Sequence, residues 1–266
     1  MRIEVDGDEP TREVLQDAAL NPYGHFTAMQ VRDGRTRGLD LHLARLDAAN
    51  RELFGEALDG VRVRDLIRHA LRGEGQDASV RVIVRGAGDG PGVRVFVAVR
   101  PPFAMPREPA QRLKSVRYLR TAPHIKRPGD FGQGYHIDQA VAAGYDDALL
   151  VGDDGTIAEA GIANIAFFDG DDGSVVWPDG PQLAGITMQV TAPRTTEFGM
   201  PSRTARVTLT DLVGDGNSGF ALAGACVTNS RGIAAVSRID AVDLPIAAEF
   251  VKAMNAAYDA VPWDGI

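Results

Sequence analysis

The sequence predicts an α/β fold in two parts, and three observations predict it. Period-two alternation of apolar and polar residues recurs in short segments, apolar residues at helical spacing recur in others, and a stretch rich in proline and arginine between about 100 and 125 parts a mixed first half from a strand-dominated second half. That stretch places a boundary near 120, giving a smaller N-terminal α/β domain over 1–120 and a larger, strand-rich domain over 121–266. With 266 residues and 44% apolar content, the chain has material for two cores of ordinary globular kind.

In the first half, MRIEVDG reads as a strand, and Thr11 is placed to cap a helix through EVLQDAAL. HFTAMQVRDG alternates toward an Asp-Gly turn at 33–34, the signal of a hairpin. LDLHLARLDAANRELFG sets Leu43, Leu46, Ala49 and Leu53 at helical spacing and stops at Gly55, and VRDLIRHALRGEG repeats the pattern with another glycine stop. SVRVIVRG and VRVFVAVR then alternate around GAGDGPG, a second hairpin with arginines on its wet face.

A strand is expected near 113–119 and a helix around 132–143. Then come a strand DDALLVGD, a turn at Gly155, one strand through TIAEAGIANIAFFDG, and a further strand SVVWPD. LAGITMQVTA enters a helix, ALAGACVTNSRGIAAVSRID is a strand, turn and strand, and PIAAEFVKAMNAAYDAV is a helix with Pro245 at its start. The chain has no internal repeat or low-complexity tract.

Composition narrows the function classes. Net charge is −8, from 28 basic and 36 acidic residues, and the charges are interleaved, which disfavours a nucleic-acid partner. The apolar run from Ala247 to Ala257 is broken by Glu249 and Lys252, far short of the roughly 20 residues of a membrane span, so no membrane association is expected. Acids in MRIEVDGDEPTREVL stand where a signal peptide carries basic and apolar residues, so a cytoplasmic location is expected. One cysteine, Cys226, rules out an internal disulfide, and histidines at 25, 42, 69, 124 and 136 have no ligand-pair spacing, so no metal is expected.

Only three of the 28 basic residues are lysines: Lys114, Lys126 and Lys252. A chain that writes arginine by default keeps lysine most readily where a primary amine is needed, because a guanidinium forms no Schiff base. Lys252, beside Glu249 on an amphipathic helix, reads as a solvated charge, and Lys114 sits among Arg112 and Arg117 in a strand. Glu159 lies among apolar residues in a strand, where a buried acid needs a cationic partner.

HLARL at 42–46, Lys126, AGYDDALLV at 143–151, Glu159 with Asn164, LAGIT at 183–187 and VTNSRG at 227–232 follow one another in the order found in a known family. Together they make most of the chain resemble the class IV aminotransferases, which include branched-chain and D-amino-acid aminotransferases and aminodeoxychorismate lyase. The resemblance implies the two-domain fold type IV architecture of pyridoxal-phosphate enzymes, D-amino-acid aminotransferase-like, with a barrel of strands in the larger domain. It implies Lys126 as the catalytic Schiff-base lysine and general base, and Glu159 as partner of the protonated ring nitrogen. For the phosphate it implies Arg45, Gly185, Ile186 and Thr187 at a helix start, and the turn Thr228, Asn229 and Ser230. Thr187 is equally suited to capping that helix. Small amine and keto-acid substrates and a homodimer follow from the same resemblance.

Three features depart from the family or divide it. Phe131 stands where many relatives carry a tyrosine, and Ala160 intervenes where Glu159 would be followed directly by glycine. The Phe26-Thr27 pair before the Asp-Gly turn is similar to the lyase branch. An aminotransferase is the leading expectation, with a lyase of the aminodeoxychorismate type that releases pyruvate, and a non-catalytic scaffold, as alternatives.

Overall fold

The computed structural model describes residues 1–73, 76–88, 90, 92–106, 109–213 and 221–266. The chain divides into two compact units. The first comprises Met1–Phe103, Ile125–Gly129 and Pro262–Ile266; the second comprises Ala104–His124 and Asp130–Val261.

The first unit begins with β1 (Arg2–Val5) and α1 (Arg12–Leu20), whose N-cap is Thr11: its hydroxyl accepts from Val14 N–H at 3.4 Å. β2 (His25–Val31) and the two-residue β3 (Arg35–Thr36) follow, then α2 (Leu39–Phe54) and α3 (Gly60–Leu71), then β4 (Ala78–Gly86) and β5 (Val93–Arg100). The strands other than β3 form an antiparallel sheet in the order β1-β5-β4-β2. The hairpin expected at 33–34 is only a turn. β2 meets the far side of that turn at the single bridge Arg32–Arg35, and its full-length partner is β4, from His25 opposite Val84 to Val31 opposite Ala78. The reason is burial: β2 alternates strictly, and pairing with β4 extends one apolar face made of Met29, Val31, Val80, Val82 and Val84. Leu46 of α2 with Val63, Ile67 and Ala70 of α3 complete that core. β3 pairs instead with Asp264–Gly265 at the chain end.

The second unit opens with β6 (Gln111–Arg117) and α4 (Phe131–Ala142), capped by the Asp130 side chain. Then come β7 (Asp147–Val151), β8 (Ile157–Ala160), β9 (Asn164–Asp169) and β10 (Val175–Pro178). α5 (Ile186–Thr191) and a 3-10 stretch Ala192–Phe198 lead to β11 (Ser202–Ala205), β12 (Leu222–Asn229), β13 (Gly232–Ile239), β14 (Val242–Asp243) and α6 (Ala248–Asp259). The last helix starts three residues after Pro245 rather than on it. The strands run in the order β11-β10-β9-β12-β13-β6-β7-β8, with β14 on β13. Ile157 at the outer edge of β8 donates to Val207 O at 2.8 Å, and Leu209 donates to Gly155 O at 3.0 Å. The sheet therefore curls until its two ends meet.

Curling gives every central strand two apolar neighbours, and the sequence supplies them by alternation. Ile165, Phe167, Ala225 and Val227 point into the enclosed core with Leu113, Leu149 and Ile157. Ala166 and Cys226 point outward under Phe250 and Met254 of α6, and Ala148 and Leu150 under Ala140 of α4. Cys226 is fully buried there, and burial pushes its thiol pKa far up. The single strand expected over 156–170 is broken at 161–163 by a tight turn in which Ala160 and Ala163 exchange backbone hydrogen bonds. Among the described residues no helix is long and apolar enough to cross a membrane.

Candidate active site

Two of the sequence-predicted site residues, Arg45 and Lys126, belong to the first unit. The other seven (Glu159, Gly185, Ile186, Thr187, Thr228, Asn229 and Ser230) belong to the second.

In the first unit β2 is the edge strand, and the segment carrying Lys126 lies along it: Phe26 N–H donates to Lys126 O at 2.7 Å. The Lys126 side chain is half-buried, with Nζ 5.0 Å from the centre of the Phe26 ring, within cation–π range. Strand alternation turns His25 and Thr27 to the opposite face, against α2. There Thr27 Oγ1 lies 2.6 Å from His42 Nδ1 and accepts a hydrogen bond from Arg45 Nη2. His42 and Arg45 reach the same hydroxyl because residues three apart on a helix share a face. Burial draws the Arg45 pKa down to about 10. It also holds His42 well below the usual histidine range, with the positive charges of Arg45 and Lys126 adding to the effect. His42 is thus neutral beside two cations. Arg45 Nε is buried and finds no hydrogen-bond partner among the described residues.

In the second unit Glu159 sits on β8, only 5% exposed. Its Oε1 accepts from Arg120 Nε at 2.8 Å and pairs with Arg120 Nη2 at 2.7 Å, while Oε2 accepts from Leu183 N–H at 3.2 Å. The cationic partner that a buried acid requires is therefore already present in the chain, and it is Arg120. Sequence reasoning missed this residue because it is one arginine among 25, the 28 basic residues less three lysines. Arg120 is itself buried, and its Nη2 also donates to Pro123 O at 2.7 Å.

The remaining six residues gather beside Glu159. Asn164 Nδ2 donates to Leu183 O and to Gln182 Oε1, both at 2.7 Å. Asn164 stands opposite Thr228 in the β9–β12 pairing. Gly185 passes so close to Asn164 Oδ1 that a side chain at 185 has no room. Thr187 does not cap its helix; its hydroxyl donates to Asn229 O at 2.7 Å and ties the LAGIT segment to the VTNS turn. Thr228 Oγ1 is buried without a partner among the described residues. Asn229 holds the turn by accepting from Arg231 N–H at 2.8 Å, with Ser230 beside it. The other two lysines are engaged elsewhere: Lys114 with Asp240 at 2.7 Å, and Lys252 with Glu249 at 3.6 Å on the surface.

Of the departures, Phe131 opens α4, 83% exposed and stacked on Tyr135. Ala160 ends β8 opposite Leu149, and the β7–β8 register shifts one step earlier, between Leu150 and Val151. The turn after β8 is held by a buried carboxylate. Asp147 accepts from Ala148 N–H at 2.8 Å and Ile162 N–H at 3.3 Å, and its side chain and that of Ile137 leave space only for glycine at 161.

A model of the class IV amino-transferase family matches residues 24–239. The chain belongs to the class IV aminotransferase family. No curated protein matches it at the sequence level. Among solved structures, a hypothetical aminotransferase from Mycobacterium tuberculosis in its PLP-bound form superposes with a TM-score of 0.80 at 21% identity, over 96% of this chain and 98% of that one. A branched-chain aminotransferase from Thermoproteus uzoniensis with norvaline gives 0.82 at 18%, over 97% and 93%. A putative 4-amino-4-deoxychorismate lyase from Legionella pneumophila gives 0.77 at 19%, over 92% and 93%. At such identities these likenesses speak to the fold, which is the fold type IV architecture that the motifs of this class IV chain implied.

Asp147 yields a pH prediction. Burial raises its pKa to about 6, against roughly 3.9 for a free aspartate, so between those values the folded state holds a proton that the unfolded chain has lost. Stability from this group is present in full below about pH 4 and is lost as pH rises through 6. Urea unfolding at pH 4, 5.5 and 7 is expected to show wild type losing roughly 2–3 kcal/mol relative to Asp147→Asn over that range. A difference that stays flat with pH means the carboxyl does not titrate there.

Proposed function

We propose that the chain binds pyridoxal phosphate through Lys126 and moves an amino group between an amino acid, or a related primary amine, and a 2-keto acid. The observation that carries this reading is the Arg45 guanidinium, which meets a hydroxyl rather than a carboxylate and keeps a buried, unpartnered Nε among the described residues. A desolvated cation is costly unless an anion completes it, and a phosphate fits a guanidinium by charge and by fork geometry. The orphaned Thr228 hydroxyl is a second donor of the kind a phosphate takes up. Gly185, Ile186 and Thr187 would bring backbone amides, and Asn229 and Ser230 the turn that holds Thr228 in place.

When bound, the cofactor supplies an aldehyde that takes an amine and a cationic ring that accepts the electron pair released at the substrate's α-carbon. The protein's part is to bind, orient and move protons. Lys126 Nζ, one of three primary amines on side chains, would hold the aldehyde, and as a free amine it would take the substrate's α-proton and hand it on to the carbon that bore the aldehyde. The Glu159 carboxylate, oriented from one side by Arg120 and from the other by Leu183 N–H, would keep the ring nitrogen protonated. Purified protein mixed with pyridoxal phosphate is expected to turn yellow, and borohydride to fix the cofactor on Lys126 as read by peptide mass spectrometry. Lys126→Ala should lose the fixation. A wild-type chain that takes up no pyridoxal phosphate would sink the proposal.

The lyase alternative is favoured by one observation, the Phe26-Thr27 pair at the head of β2, and is kept for that reason. Incubation with candidate amines separates the two. Conversion of the cofactor to its amine form, with a keto acid released, is the expected result; pyruvate released with the aldehyde form retained assigns the lyase. Neither product, from a chain that binds the cofactor, assigns the scaffold.

A homodimer completes the proposal. α4 leaves Phe131, Tyr135 and Val141 exposed, apolar area of the kind a subunit partner covers. Sedimentation velocity is expected to give twice the chain's mass of 28.4 kDa, and a monomer at micromolar concentration would count against the assembly.

A further inference from the structure

We propose that Thr27 is the positioning residue that sets the Arg45 guanidinium for an anionic phosphate, with His42 as the far anchor of the same relay. The inference rests on the reading of Arg45 as the phosphate ligand. Thr27 is fully buried on β2, yet it is polar, and its single hydroxyl stands between two groups of α2. An arginine only donates, so Thr27 Oγ1 spends a lone pair on Arg45 Nη2. The hydroxyl proton then has one acceptor at hand, His42 Nδ1 at 2.6 Å.

This assignment gives the hydroxyl proton its acceptor, and it requires Nδ1 to be bare and the ring proton to sit on Nε2. The surroundings enforce that state: His42 is buried, with Arg45 and Lys126 disfavouring a third positive charge. A His42 cation would point an N–H at Thr27 and turn the hydroxyl proton toward nothing. The neutral ring therefore fixes the hydroxyl, the hydroxyl fixes Nη2, and one edge of the guanidinium is held. Its Nε, buried and unpartnered among the described residues, is left for a ligand.

A carboxylate in the place of Thr27 would also hold Arg45, but it would neutralise the charge that a phosphate needs. A hydroxyl orients without neutralising. The choice of threonine at 27 is explained by that difference, whereas a mere need to fill the face of β2 would be met by valine, as at positions 31, 80, 82 and 84 of the same core.

The test compares two ligands on the full chain. Dissociation constants for pyridoxal phosphate and for pyridoxal, which lacks the phosphate, are measured by fluorescence titration for wild type, Thr27→Val and Thr27→Ser. Thr27→Val is expected to weaken pyridoxal phosphate by about tenfold or more while leaving pyridoxal within about twofold, and Thr27→Ser to restore the wild-type value. Equal loss for both ligands, or no loss for either, overturns the relay. Wild type that binds no pyridoxal phosphate overturns the reading of Arg45 with it; wild type that binds, beside an unaffected Thr27→Val, overturns the relay alone. If Thr27→Val fails to give a folded circular dichroism spectrum, Thr27→Ala, which adds no bulk, is read in the same titration.

Discussion

Charge taken out of water must be matched, and this chain meets that constraint in two different ways. Around Glu159 it pairs in full: the Arg120 guanidinium on one oxygen, a backbone N–H on the other. Removing either partner of such a buried pair typically costs 3–5 kcal/mol, because the survivor is left uncompensated. The surrounding segments inherit their positions from it. Leu183 is held by Glu159, Asn164 by Leu183, and Asn164 faces Thr228 across the sheet. Around Arg45 the matching is partial, with a hydroxyl for one donor and none for Nε among the described residues. One arrangement is matched within the chain; the other leaves a buried guanidinium with no anionic partner among the described residues.

The scaffold that holds each arrangement follows from strand alternation. In the first unit the period of two divides β2 between a face with Thr27 and a face with Phe26, so that neighbouring residues serve different surroundings. In the second unit the sheet curls on itself, and the same period fills an enclosed core and an outer layer with alternate residues of one strand. At 161–163 Asp147 ties the turn to β7, and glycine is the one residue that fits against it.

Much of this was legible in the sequence, and the rest was hidden for physical reasons. The helices at 12–20, 39–54 and 60–71 follow from local spacing and caps, and the β4–β5 and β12–β13 hairpins from alternation around glycine-bearing turns. The register of β2 was not legible, since a turn signal at 33–34 is local whereas the gain from extending the β4 face is not. The break at 161–163 escaped because an apolar run reads as continuous strand until a tertiary contact interrupts it. Lys126 stood out against an arginine background, and that same background concealed Arg120. Thr27 and His42 were visible as parts of motifs, but only the distance between them shows that their side chains meet.

The lone thiol carries a practical consequence. Cys226 is enclosed between β12 and the helix above it, and burial keeps it in the unreactive protonated form. Thiol-directed probes will therefore pass over the native chain, and cysteines introduced singly on each unit can carry spin or fluorescent labels without background. The protein comes ready for distance measurements that would follow its two units as ligand is added.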